Sequence, residues 1–138
     1  MKKIKTIFYS LILIFIAIVI YFIIPFENKI KGTLFPFVIT VLGLIFSLLG
    51  ILLTYYTIKL KIEGKLKWFL ILTGIPPVIA LVSAILHNLV YGLMIYVFGE
   101  GFWGQGGDEV FFFILALIVC PIIFLVGAIG SIIMFKKN

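Results

Sequence analysis

Residues 31–59 read KGTLFPFVITVLGLIFSLLGILLTYYTIK, a run with no charged side chain between its two flanking lysines. A helix rises 1.5 Å per residue, so about 20 apolar residues cross the ~30 Å hydrocarbon core of a bilayer. This run is long enough. Its small and hydroxyl-bearing residues, with one proline among them, are Thr33, Pro36, Thr40, Gly43, Ser47, Gly50, Thr54 and Thr57, spaced alternately three and four apart. Everything else from Leu34 to Ile58 is bulky and apolar. Lipid tails are as apolar as leucine, so membrane helices associate through small residues that permit close approach. One narrow seam of period 3.5 predicts a helix packed into a left-handed bundle.

Working outward, Thr6–Phe26, Trp68–Gly99 and Val110–Phe135 are also free of Asp, Glu and Lys and long enough to span. The expectation is an all-α integral membrane domain covering residues 1–138, with spans at about 6–26, 33–58, 68–91 and 109–135 and an outer loop at 92–108. Composition agrees. Hydrophobic residues make up 64% and charged residues 12%, against roughly a half and a quarter in soluble domains. A soluble chain of 138 residues has no core large enough to hide that surface. Met1–Lys5 followed by an apolar run resembles a signal peptide, but the run is long and Ile24-Pro25-Phe26-Glu27 is a poor cleavage site. A retained first span is expected.

Lysine placement sets the orientation. Lys2, Lys3 and Lys5 precede span one, Lys59, Lys61, Lys65 and Lys67 separate spans two and three, and Lys136 and Lys137 follow span four. Only Lys29 and Lys31 fall on the other side, and the loop before span four carries Glu100, Asp108 and Glu109 instead. The positive-inside rule places both termini in the cytoplasm, the membrane being the plasma membrane. The amphipathic rings agree: Tyr9, Tyr55, Tyr56 and Trp68 fall at one level, Tyr21, Tyr91, Tyr96 and Trp103 at the other. The Lys59, Lys61, Lys65 and Lys67 cluster is suited to anionic lipid headgroups, at about 1 kcal/mol per lysine. The net charge of +6 does not point to nucleic acid, because the chain has no arginine and its lysines form no stripe.

Span three repeats the small-residue theme with Thr73, Pro76 or Pro77, Ala80, Ser83 or Ala84, His87 and Tyr91. Span four has Ala116, Cys120, Gly127 and Ser131, whereas span one has only Ser10 and Ala17. Spans two to four are therefore expected to form the tight core of an up-down four-helix bundle, with span one peripheral. The packing seam is assigned to Thr40, Gly43, Ser47, Gly50, Thr54, Ala80, Ser83, Gly127 and Ser131. It is read first as helix contact, its hydroxyls bonded back to their own helices, and second as the lining of a pathway. Pro76-Pro77 and Pro121 should kink spans three and four.

Chemistry concentrates outside. No Asp, Glu or Lys lies inside a span, Glu109 standing at the outer edge of the fourth, which argues against proton-coupled transport. His87, Asn88, Tyr91, Glu100, Asp108 and Glu109 are expected near one another at the outer boundary, a setting for a metal, a proton or a lipid headgroup. The plainer reading makes Asp108 an N-cap and Glu109 a first-turn acid facing the helix dipole. Leu93–Phe98 is apolar although outside, which predicts an interfacial or re-entrant segment before a glycine-rich turn. Gly99-Glu100-Gly101-Phe102-Trp103-Gly104 matches G-x-G-x-x-G, but no strand precedes it and no helix directly follows, so it is read as chance. The lone Cys120 has neither a disulfide partner nor metal-ligand spacing around it. No cofactor, no metal and no catalytic residue is assigned.

Leu86-His87-Asn88-Leu89-Val90-Tyr91, followed by Asp108-Glu109-Val110-Phe111-Phe112, resembles segments of uncharacterised small four-span membrane proteins of bacteria and archaea. The resemblance covers the second half of the chain and implies no activity. The leading expectation is a non-enzymatic accessory or regulatory subunit that binds lipid, another membrane protein or itself. A channel or facilitator, and a membrane enzyme with an outward His/acid site, are the alternatives.

Overall fold

The computed structural model describes residues 1–23, 28–104 and 106–137, with side chains in the second helix described from residue 34 onward. The side chains of Thr33, Lys29 and Lys31 and the whole of the 24–27 stretch lie outside the described set. Its elements are α1 (Lys2–Ile23), α2 (Asn28–Lys59), α3 (Gly64–Gly74), α4 (Pro76–Phe98), α5 (Phe111–Ile114), a π-helical segment Leu115–Val119, and α6 (Cys120–Lys137). No strand occurs among the described residues. Four stretches are long and apolar enough to cross a membrane: Lys2–Ile23, Leu34–Lys59, Gly64–Phe98 and Phe111–Lys137.

Two of these stretches are broken where proline demands it. Pro76 and Pro77 have no N–H to donate, so the carbonyls of Leu72 and Thr73 lose their helical donors. The Val78 N–H turns to the Ile75 carbonyl at 3.0 Å. The chain thus passes from α3 to α4 through Ile75 alone. Ahead of Pro121 the strain is absorbed differently, by the wider π-helical turn over Leu115–Val119.

The end of α2 is closed by a Schellman motif. The Ile62 N–H reaches the Thr57 carbonyl at 3.1 Å and the Lys61 N–H the Ile58 carbonyl at 3.0 Å. Lys61 takes the left-handed conformation, φ 50°, usually left to glycine.

Glycine governs the helix contacts. A Cβ on Gly50 would run into the Gly74 carbonyl oxygen, and one on Gly74 into the Thr54 hydroxyl. A Cβ on Gly127 would stand 2.6 Å from the Thr73 nitrogen, and one on Gly130 would strike the Phe69 ring. Backbone therefore lies against backbone where α2 meets α3 and where α3 meets α6.

At the end of the molecule that holds both termini, Ile4, Phe8, Leu11, Leu53, Leu66, Leu70, Ala128 and Phe135 form a packed core. Ile4, Phe8 and Leu11 of α1 are fully buried there. Span one, expected at the periphery, is integral to this half. It packs through large side chains, the Phe8 ring edge-on to Phe135 at 5.3 Å, so its lack of small residues is no guide to its position. Elsewhere large side chains face outward, Leu13 and Phe37 being about two-thirds exposed, as hydrocarbon surroundings would favour.

Leu93–Phe98 belongs to α4, which runs unbroken to Phe98. It is a continuation of the spanning helix where a separate interfacial segment was expected, because nothing between Gly92 and Phe98 interrupts the backbone ladder. The positive-φ glycines Gly99, Gly104 and Gly106 come after it.

Candidate functional site

The seam of α2 is not uniform. Ser47, Gly50 and Thr57 are buried, and Thr57 donates its hydroxyl to the Leu53 carbonyl at 2.7 Å. Toward the other end the neighbouring helices draw away. Thr40 donates to the Pro36 carbonyl at 2.6 Å, and a Cβ on Gly43 would meet nothing within 4 Å. The space left there is a cavity of about 520 Å³ lined by residues of all four spans.

Its walls follow from local sequence. Gly43, Ala80, Ala84 and Ala116 supply small side chains, while both helix breaks (Pro76-Pro77, and Ala116 and Leu117 of the π-helical segment with Pro121) border it. Small residues and splayed helices together leave the volume open. The lining is almost wholly apolar, Thr40 and Asn88 being its uncharged polar members. Asn88 donates its amide to the Ala84 carbonyl at 2.8 Å. Three rings close the floor. Phe15 lies 4.6 Å from Phe124 and 5.9 Å from Phe46, and Phe46 lies 5.2 Å from Phe124, centroid to centroid. Below them is the packed core, of which Phe46 and Phe124 are also part.

One residue from Asn88 along α4 stands His87, at the centre of a polar cluster. Its Nδ1 lies 2.9 Å from the Glu109 carbonyl oxygen and 3.2 Å from Glu109 Oε2. Its Nε2 lies 3.7 Å from Asp108 Oδ2. Both neighbours of Nδ1 are acceptors, so in neutral His87 that nitrogen carries the hydrogen and Nε2 keeps its lone pair.

Glu109 is buried and caps the span that follows. It accepts from the Phe111 N–H at 2.8 Å and from the Phe112 N–H at 3.0 and 3.1 Å. Asp108 is not the residue that caps this helix; its Oδ1 takes the Glu109 N–H at 2.7 Å. Burial pulls the Glu109 pKa upward, but the Phe112 and Phe111 N–H groups and His87 outweigh it and hold the carboxyl below its ordinary value.

Trp103 returns the glycine-rich segment to α4, its indole N–H donating to the Tyr91 carbonyl at 3.2 Å with the two rings stacked 5.8 Å apart. Of the residues expected here, His87, Asp108 and Glu109 are brought together and Asn88 turns to the cavity. Tyr91 meets Trp103, while Glu100 is exposed and makes no ion pair or hydrogen bond among the described residues. No group of three His, Cys, Asp or Glu side chains among the described residues is arranged to hold a metal.

The sequence reading did not foresee the cavity. Its signal was present in Gly43, Ala80, Ala84 and Ala116, all of which read as helix-contact residues. At the opposite end Lys59, Lys61 and Lys65 are exposed and Lys67 half-buried, and the Lys59 ammonium sits over the Tyr55 ring at 5.2 Å. Thr54 and Ser131 have buried hydroxyls with no hydrogen-bond partner among the described residues. No protein-family model, curated protein or solved structure matches the chain.

Proposed function

We propose that this chain is a non-enzymatic lipid-binding protein of the plasma membrane, an accessory or regulatory subunit that crosses the bilayer as an up-down left-handed four-helix bundle with both termini cytoplasmic. The cavity carries this reading. It lies among segments apolar enough to span a membrane, its walls are hydrocarbon, and hydrocarbon is the solvent such a space would meet. Water there would find few polar partners, and an apolar cavity is a poor host for it. A chain of methylenes fills it without leaving a polar group unsatisfied.

The test is native mass spectrometry of protein released gently from membranes, wild type beside Gly43→Leu. Gly43 borders the cavity, and a Cβ there would meet nothing within 4 Å, so a leucine side chain can enter the volume. Wild type should retain one lipid per chain and Gly43→Leu none. Equal retention would remove the cavity from the account.

The channel reading is less well supported, since the rings of Phe15, Phe46 and Phe124 stand between the cavity and the packed core. Thr40→Cys in a Cys120→Ala background discriminates, because Thr40 lines the cavity and is exposed. A cationic methanethiosulfonate should leave the introduced thiol unmodified in proteoliposomes, whereas a water-filled passage would admit the reagent. The closeness of His87, Asp108 and Glu109 keeps acid–base chemistry geometrically open, but Glu109 is committed to capping.

A further inference from the structure

With His87 neutral, the polar cluster next to the cavity along α4 leaves two acceptors facing each other. His87 Nδ1 faces two acceptors, so it is the nitrogen that carries the hydrogen when the ring is neutral. Nε2 then presents a lone pair 3.7 Å from Asp108 Oδ2, an acceptor as well. Two acceptors at that distance do not bond to each other; they call for a donor shared between them. Asp108 is half exposed, so the gap is open to a ligand. Glu109 has no oxygen to spare.

The surrounding charge selects the donor. Gly99–Val110 contains Glu100, Asp108 and Glu109 and no lysine, so a cation is favoured and an anionic head repelled. A primary ammonium has three N–H donors and suits the pair. A quaternary ammonium, which has none, does not. The cavity begins beside this point, with Asn88 next to His87 in the chain and Ala84 three residues before it. About 150 Å³ of apolar cavity holds a benzene, so about 520 Å³ is room for a long acyl chain.

We infer that the site takes a primary-amine lipid, of the ethanolamine type, with one acyl chain in the cavity and the ammonium between Asp108 and His87 Nε2. This rests on the lipid-binding reading above and adds the head group to it.

The experiment uses the full chain in nanodiscs containing equal amounts of phosphatidylethanolamine, phosphatidylcholine and phosphatidylglycerol with identical acyl chains. Lipid retained on release is identified by native mass spectrometry. Wild type should retain one phosphatidylethanolamine with a preference of about tenfold over either competitor, the scale of a charge-assisted hydrogen bond. Asp108→Asn should still retain one lipid, with the preference reduced to about twofold or less.

Retention without preference, or preference for phosphatidylglycerol, would overturn the amine assignment and leave the cavity reading intact. No retained lipid in wild type would overturn both. Methylammonium added to delipidated protein tests the head alone and should not bind at millimolar concentration. Saturable methylammonium binding that survives Gly43→Leu would reassign the site to a soluble amine.

Discussion

At the scale of single residues, Glu109 shows how one side chain joins two elements. It accepts from backbone N–H groups at the start of α5 and from His87 on α4, so it closes the exposed donors of one span and fastens that span to its neighbour. Because its folded-state pKa is depressed, its contribution is fully present above the ordinary carboxylate range and is lost as pH falls through the lowered value. Melting in detergent as a function of pH should show this acid-side loss. Glu109→Gln should have a lower Tm at neutral pH and a flatter acid limb, and a variant curve parallel to wild type would count against the cap. The buried hydroxyls of Thr54 and Ser131, unpartnered among the described residues, invite the opposite result. Thr54→Val and Ser131→Ala should be neutral or stabilising by up to about 1 kcal/mol, since an apolar atom replaces an unsatisfied one. Destabilisation by more than that in a detergent melt would mean the hydroxyls have partners.

At the scale of elements, glycines that share one seam play different parts. Gly50 and Gly127 hold helices in backbone contact, and a methyl at either meets a neighbouring main chain. Gly50→Ala and Gly127→Ala should each cost about 1–3 kcal/mol, the usual penalty of overpacking. Gly43→Ala, with open space before it, should change stability by less than about 0.5 kcal/mol. Chemical unfolding of the three variants in one detergent checks the order, and equal costs would refute the division. The sequence could not make this distinction. The alternation of three and four steps marks which face of α2 carries small residues, but contact along that face depends on how α3 and α4 diverge at Pro76-Pro77. The prolines were legible as breaks. The direction in which they turn the helices is a property of all the neighbours together. Leu93–Phe98 failed in the same way, because hydropathy and a topological boundary were used to end a helix whose own backbone has no reason to stop.

At the scale of the whole molecule, two halves follow different packing rules. One is filled by large interlocking side chains drawn from all four spans, including α1. The other is walled by small residues and opened by two helix breaks, and the trio Phe15, Phe46 and Phe124 divides them. The four stretches long and apolar enough to cross a membrane were readable from charge and length alone. His87 lies mid-way along α4, eleven residues before its end, so its approach to Asp108 and Glu109 follows from how α4 packs and not from where helices stop. Nor was the cavity readable, because an empty space is marked only by what its lining residues fail to touch. The most direct measurement is a crystal structure of the chain grown from a lipidic mesophase. The account predicts continuous, unbranched density running between Gly43, Ala80 and Ala116 toward Asn88. A file of ordered waters in that space, or helices closed upon it with no volume left, would contradict it.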